Sequence, residues 1–141
     1  MKKNKWFVIY FLFFTITVIG QNLEQHQWVN RVLLVFSDDK KDERLIKQIE
    51  VFSQEKQGLA ERKLLIYRFS ENQFTPEFNT VWFSSTLKTK KYKRKSENFK
   101  VVLIGLDGGI KLEQTSLLST EKLFAVIDGM PMRRGEIKTK N

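Results

Sequence analysis

The side chains best suited to chemistry lie in one short segment, where Asp38, Asp39, Asp42 and Glu43 follow Ser37. Clustered carboxylates can hold a divalent metal or share general acid–base work, and a serine hydroxyl can act as a nucleophile when a base activates it. The structural alternative is that these acidic residues cap a following helix and interact with the positive end of its dipole. We favour the cap, because carboxylates are expected in a first helical turn and Ser37 has neither a companion base nor a Gly-x-Ser-x-Gly motif.

Two residue counts exclude classes of site. The chain has no cysteine, so dithiol exchange and thiol-based peroxide reduction cannot occur. It has one histidine, His26, so a metal site with several histidine ligands is excluded as well. We interpret His26 as an exposed residue of a polar leader, residues 21–27, and we predict no metal and no cofactor.

The N-terminus has the organisation of a secretory signal peptide. Three lysines lie within the first five residues, and residues 6–19 are apolar except for two threonines. As a helix this run is roughly 20 Å long, shorter than the ~30 Å hydrocarbon core of a membrane. Val18 and Gly20 suit a cut before Gln21. The alternative is an uncleaved membrane anchor, but Asn22 and Glu24 follow at once and no basic stop-transfer cluster does. We predict a periplasmic or secreted protein with no stable transmembrane span after cleavage.

The excess positive charge of the chain is local. Removal of residues 1–20 leaves 22 basic and 16 acidic residues, a net charge of +6. Outside one run the two signs balance, and the basic residues of that run are Lys88, Lys90, Lys91, Lys93, Arg94 and Lys95. The run is either a solvated loop, partly neutralised by nearby carboxylates, or an anion-binding site for polyanionic envelope polymers or nucleic acid, with Tyr92 available to stack or pack.

Four strands are predicted around these residues. Residues 31–36 and 101–104 are continuous apolar runs, typical of central strands that are covered on both faces. Residues 63–69 form a further strand, and residues 110–113 alternate apolar and charged side chains, as at a sheet edge. Asp107-Gly108-Gly109 joins the last two strands in a tight turn that needs a positive φ at a glycine.

Three helices complete the prediction. The first begins near Lys41 or Asp42 and ends at Gly58. A short helix is expected around residues 81–92, and the last helix covers residues 120–128, capped by Ser119 and stopped by Gly129. The order predicts an α/β fold with a four-stranded mixed sheet, strand order 2-1-3-4, and helices on both faces. That arrangement is thioredoxin-like.

Three segments resemble a known family. They read Trp28-x-Asn30-Arg31-Val32-Leu33-Leu34-Val35-Phe36, Phe99-x-Val101-Val102-Leu103-Ile104-Gly105-x-Asp107-Gly108-Gly109-x-Lys111-Leu112, and Ile127-Asp128-x-Met130-Pro131-Met132-Arg133-Arg134. Together they are similar to the family called domain of unknown function 4174, over residues 28–134. That family resembles the thioredoxin-like domains of sushi-repeat extracellular matrix proteins. The resemblance implies a thioredoxin-like domain over residues 28–134, followed by a polar tail at 135–141, and an exported setting, but it implies no activity.

Topology brings a second set of residues together, at the pole opposite Asp38. This distal set comprises Trp28, Arg31, Asp107, Arg133 and Arg134. We expect Arg133 or Arg134 to lie within ion-pair distance of Asp107 or Asp128. Such pairs would fasten the C-terminus to the hairpin; the other interpretation is a surface for a partner.

Two function classes remain open. The first is a non-enzymatic binding module of the cell envelope whose partner is an envelope protein or a polyanion. The second is a cysteine-free enzyme that acts through the carboxylates between Asp38 and Glu43.

Overall fold

The structure is a computed structural model that describes residues 23–140. The predicted signal peptide, residues 1–20, lies outside the described residues. The strands are β1 (Arg31–Ser37), β2 (Leu64–Ser70), β3 (Gln73–Pro76), β4 (Phe83–Ser84), β5 (Phe99–Ile104) and β6 (Ile110–Gln114). The α-helices are α1 (Glu43–Ser53), α2 (Lys56–Glu61), α3 (Thr120–Asp128) and α4 (Pro131–Thr139).

The sheet has six strands in the order β4-β3-β2-β1-β5-β6. The prediction of an α/β fold with a mixed sheet is confirmed, because β1 is parallel to β2 and antiparallel to β5. The prediction of four strands is wrong. The four predicted strands are present as neighbours in the expected order, but β3 and β4 extend the sheet beyond β2. β4 and the 3-10 turn at Thr89–Lys91 lie where we predicted a short helix around residues 81–92, so that prediction is wrong, and β3 precedes this segment.

The central position of β1 follows from its sequence. All seven of its residues are buried, as expected for an unbroken apolar strand that has neighbours on both edges and is covered on both faces. Side chains of β1 alternate between two core clusters, with Leu33 and Val35 in one and Val32, Leu34 and Phe36 in the other. The strand therefore contributes to the whole core of the domain.

The two faces of the sheet are covered differently. α1, α2 and α3 place Leu45, Phe52, Leu59, Leu123 and Ile127 in the cluster that contains Leu33. Within residues 23–140, the opposite cluster contains no residue of an α-helix; Leu23, Leu87 and Tyr92 pack there instead. The prediction of helices on both faces is therefore wrong.

The helix that follows β1 ends earlier than predicted. Asp42 caps α1, and its carboxylate accepts a hydrogen bond from the backbone N–H of Arg44. The chain turns after Ser53, so Gly58 lies inside the separate helix α2 rather than at a helix end. The last predicted helix is confirmed over Thr120–Asp128, because the hydroxyl of Ser119 accepts a hydrogen bond from Lys122 N–H and Gly129 follows as the C-cap.

The prediction for the turn between β5 and β6 and the prediction for the polar leader have different outcomes. Gly108 has φ 82°, so the turn between β5 and β6 does use a glycine in the left-handed region. The polar leader, in contrast, joins the fold. Residues 23–26 form a 3-10 turn, and Leu23 packs against the sheet. Among residues 23–140, no helix is long and apolar enough to cross a membrane.

Candidate functional site

The basic run lies in a loop that is anchored by an aromatic side chain. Residues 88–95, hereafter the basic loop, contain a 3-10 turn at Thr89–Lys91. Tyr92 is buried, and its ring stacks on that of Phe36 with centroids 6.4 Å apart. Since Tyr92 is fixed on the sheet in this way, the charged side chains next to it are presented from a defined backbone.

The basic loop lies beside the end of β1. Lys93 Nζ lies 2.9 Å from the carboxylate of Asp38, which follows β1 directly. The Lys93 side chain is 13% exposed, whereas the Asp38 side chain is 54% exposed. This ion pair joins the basic loop to the acidic segment that follows β1. It also means that Lys93 is not among the basic residues available to an outside partner.

A polar cavity of about 560 Å³ opens beside the loop. Its basic lining residues are Lys90, Lys91, Lys93, Arg94 and Lys100, and its acidic ones are Glu97 and Glu113. Lys88 and Lys95 are exposed but are not among the lining residues. The structure thus brings four residues of the predicted basic set around one concavity and leaves two outside it.

Lys100 lies at the floor of this cavity and was not among the predicted site residues. Its side chain is 10% exposed, and its Nζ is 3.3 Å from Glu97 and 3.1 Å from Glu113. The pKa of Glu97 is lowered, chiefly because its carboxylate accepts a hydrogen bond from the backbone N–H of Arg94. Both acids on the lining therefore have a cationic partner inside the site.

The acidic residues between Asp38 and Glu43 form hydrogen bonds that stabilise the turn after β1 and the start of α1. Asp42 Oδ2 accepts hydrogen bonds from Arg44 Nη2 at 2.7 Å and from the Ser37 hydroxyl at 2.9 Å. These bonds, led by the one from the Arg44 side chain, lower the pKa of Asp42 to about 2. Asp39 accepts from the backbone N–H of Lys41. Within the described range 23–140, no three histidine, aspartate or glutamate residues are grouped to hold a metal ion.

His26 is not the exposed leader residue that we expected from the sequence. It is half-buried, and its Nε2 lies 2.8 Å from the hydroxyl of Tyr67 on β2. Burial lowers the pKa of His26 below its ordinary value. The sequence around residue 26 does not indicate this contact, because the partner, Tyr67, is 41 residues away in the sequence.

The distal residues meet in an ion-pair network, but not at the hairpin. Arg133 Nε lies 3.1 Å from Asp128, which is the expected pair, and Arg133 Nη1 donates to the backbone carbonyl of Glu61. Arg62 binds the same Asp128 carboxylate at 2.8 Å. These contacts of Arg133 fasten α4 to α3 and to the end of α2, and the expected tie to the Asp107 hairpin is wrong. Arg134 is exposed.

Burial acts to raise the pKa of Asp128, but hydrogen bonds from Arg62 and Arg133 outweigh it, and the pKa is lowered. Glu136 behaves alike: burial opposes ionisation, whereas Arg31 and Arg133 favour it, and its pKa is lowered. Both carboxylates are therefore anionic partners of the network. Neither Arg62 nor Glu136 was singled out from the sequence, since their partners come from separate segments.

Two of the remaining distal residues line a second, smaller cavity. Arg31 and Asp107 line a space of about 280 Å³ together with Leu106 and residues 130–132. Asp107 is paired with Lys111 at 2.9 Å, and the bonds from Lys111 and from the Gly109 N–H lower its pKa. Trp28 is 63% exposed, and its backbone N–H donates to the Leu106 carbonyl. The sequence signal for this site is Arg31 itself, a charged residue at the start of a buried strand.

Comparison with known proteins identifies a family without an assigned activity. No curated protein matched the sequence. The family model described as domain of unknown function (DUF4174) matches residues 22–136, which include all six strands, the basic loop and the distal network. The chain belongs to this family.

Proposed function

We propose that this chain is an exported, non-enzymatic binding module of the cell envelope that binds polyanions at the cavity beside the basic loop. The observation that carries the proposal is the state of three cations on the cavity lining. Lys90, Lys91 and Arg94 are exposed, and none of them forms an ion pair with another residue in the range 23–140. Their charge is available to a ligand.

The charge balance of the cavity supports an anionic ligand. Five basic residues and two acidic residues line it, so it carries an excess of three positive charges. Lys100 pairs with both acids but offsets only one of their two charges, and Asp38 offsets Lys93 from outside the lining, so a net charge of +2 remains. A concavity with one sign of charge concentrates ligands of the opposite sign, and a polymer gains further because each contact releases condensed counterions.

The position of Tyr92 favours recognition of backbone charge over recognition of bases. Its ring is 7% exposed and is stacked on Phe36, so it packs the loop instead of offering a face for a nucleobase. Binding should therefore depend on the density of phosphate or sulfate groups and not on base identity. A ligand of this kind can be an envelope polymer or a nucleic acid.

We also propose that the sheet is a thioredoxin-like sheet extended at one edge. The inner order β2-β1-β5-β6, with β1 and β2 parallel, supports this relationship. The absence of cysteine from the chain means that such a domain would not use the redox chemistry of thioredoxins. For the alternative, an enzyme that uses the segment from Asp38 to Glu43, no specific contact offers support, because Asp42 caps α1 and Asp38 pairs with Lys93.

The test compares two triple variants with equal loss of charge. In the first, Lys90, Lys91 and Arg94 are changed to Gln; in the second, the exposed residues Lys41, Lys47 and Lys138 are changed to Gln. Titrations use single-stranded DNA, a phosphodiester polymer, and dextran sulfate, a sulfated sugar polymer. Binding by wild type should weaken roughly 20-fold between 50 and 200 mM salt if three phosphates of a single strand are contacted.

The proposal predicts that the first variant loses most of this affinity and salt dependence, whereas the second keeps both. Binding of both polymers would indicate recognition of charge density, and binding of DNA alone would indicate recognition of phosphodiesters. Equal binding by the two variants would overturn the proposed site.

A further inference from the structure

A cavity of about 430 Å³ lies where the sheet is incomplete, beside the start of β2. β3 pairs with β2 only as far as Pro76, which faces Tyr67. Glu77 then donates its N–H to the Ile66 carbonyl at 2.6 Å, and the chain turns away, since Asn79 N–H bonds back to the Pro76 carbonyl. Residues 64–66 line the cavity together with the turn that follows β3, so the cavity occupies the gap that the short β3 leaves.

The apolar lining of this cavity has a closed floor and accessible walls. Leu59 and residues 64 and 66 are buried in the core cluster that contains Leu33, so they form the floor. Ala60 is exposed, and Phe78 and Asn30 are half-buried, so these three side chains are within reach of a ligand. Small-molecule sites usually start at about 300 Å³, so the cavity suits a small molecule with an apolar part.

Charges of both signs surround the cavity. Lys56 and Lys63 line it from α2 and the residues that follow, and Glu77 lines it from the turn after β3; all three are exposed. Within residues 23–140, neither Lys56 nor Glu77 forms an ion pair, and Lys63 has only a contact of 3.9 Å with Glu136. Lys56 Nζ lies 4.9 Å from the centre of the Phe78 ring, which places one cation next to the apolar wall. Both signs of charge are therefore available to a ligand.

Two of these charged residues have a backbone conformation that favours glycine. Lys63 has φ 51° and Glu77 has φ 46°. Among residues 23–140 only four residues other than glycine have a positive φ, and two of them line this one cavity. Strained residues of this kind cluster at ligand-binding sites. A glycine at either position would relieve the strain but would remove a charge from the rim of the cavity.

From these observations we propose that the cavity binds a zwitterionic small molecule with an apolar body, of the class of an α-amino acid with a large apolar side chain. Its ammonium group pairs with Glu77, its carboxylate pairs with Lys56 and Lys63, and its side chain lies against Ala60 and Phe78. A purely anionic ligand would be repelled by the carboxylate, and a purely cationic one by the two lysines. The site shares no lining residue with the basic-loop cavity and does not depend on the function proposed there.

The experiment uses L-phenylalanine as the probe and three analogues that each lack one feature. N-acetyl-L-phenylalanine lacks the ammonium charge, L-phenylalaninamide lacks the carboxylate, and glycine lacks the apolar body. Phenylalanine should shift the methyl resonance of Ala60 in a saturable way, and each analogue should bind about two- to fivefold more weakly, as expected for the loss of one exposed contact.

Two results of these titrations would overturn the proposal. The first is an affinity for glycine equal to that for phenylalanine, or no saturable shift with phenylalanine. The second is a shift at Tyr67 without one at Ala60. Tyr67 lines a neighbouring cavity of about 360 Å³ that shares Glu77 and Phe78, so this result would place the ligand there.

A pair of glutamine variants tests the contact with the ammonium group. Glu77→Gln should weaken the binding of phenylalanine about threefold but should not weaken that of N-acetyl-phenylalanine, which has no ammonium charge to lose. Glu71 is the matched control, because it is exposed and has φ 54° but does not line the cavity. Glu71→Gln should leave both affinities unchanged. An equal loss for both ligands in Glu77→Gln, or an equal effect of the two variants on phenylalanine, would overturn the assigned contact.

The reciprocal variant tests the carboxylate contact. Lys63→Gln should weaken the binding of phenylalanine but not that of phenylalaninamide. Changing Lys90, Lys91 and Arg94 to Gln should leave phenylalanine binding unchanged, and a loss there would assign the ligand to the basic loop and overturn this site.

Discussion

Phe124 on α3 packs against Gly58 on α2 so closely that a Cβ atom added to Gly58 would lie 2.7 Å from Phe124 Cε2. The guanidinium of Arg62 lies 3.7 Å from the centre of the same ring, so the aromatic side chain also has a cationic neighbour. The absence of a side chain at residue 58 therefore sets how near the two helices come. The glycine serves packing, not helix termination.

A pair of alanine substitutions tests this role. Gly135 lies in α4, where an added Cβ meets no atom within 4 Å. Gly135→Ala should raise the free energy of unfolding by up to about 1 kcal/mol, because alanine has the higher helix propensity. Gly58→Ala has the same propensity gain but should lower the free energy of unfolding by about 1–3 kcal/mol, because Phe124 must move. Urea unfolding of both variants measures the difference, and stabilisation by both would show that the ring moves freely.

Acid should remove part of the stability that Asp42 supplies. Its pKa is lowered from 3.8 to about 2 in the folded chain, so the charged carboxylate stabilises the fold above pH 3.8 and this contribution is lost as the pH falls through about 2. Asp42→Asn keeps a capping oxygen but no charge. Thermal melts at about pH 5 should show wild type as more stable than the variant, and the gap should narrow at about pH 2.

The other carboxylates of lowered pKa are present in both proteins, so their titration cancels in this comparison. A gap of constant size across this pH range would mean that the bonds to Arg44 and Ser37 do not depend on the charge of Asp42.

Export can be tested independently of any ligand. A basic n-region, an apolar stretch of signal-peptide length and Val18-x-Gly20 predict cleavage before Gln21. We expect the intact mass of protein recovered from an envelope fraction to correspond to residues 21–141. A Gly20→Pro variant should remain uncleaved and supplies the reference mass. Recovery of wild type with residues 1–20 still attached would contradict cleavage and favour a membrane anchor.

Sequence patterns predicted the elements whose signals are local. The apolar run of β1, the turn with Gly108 at positive φ and the Ser119 cap depend on residues within a few positions of one another. β3 and β4 have no such signal. Together they contain six residues, and β4 is exposed, so neither an apolar run nor an alternating pattern marks them. β3 pairs with β2 and β4 pairs with β3, so each is defined by a neighbouring strand and not by a pattern within its own residues.

The candidate sites were predictable only in part, for the same physical reason. Clustered lysines mark the basic loop, but the partner that places Lys100 at its floor is Glu113, on another strand. The smaller cavity, of about 280 Å³, combines Arg31, the hairpin and the segment 130–132, which are far apart in the chain.

The place of β1 in the sheet has a consequence for how the protein is made. β1 is translated early, yet one of its two edges pairs with β5, where Val32 meets Ile104. Until β5 has left the ribosome, the apolar run that becomes the middle of the sheet has an open edge, and such edges promote aggregation. Pairing between distant segments also slows folding. The nascent chain therefore passes through a period in which a chaperone that holds extended apolar segments would keep it soluble.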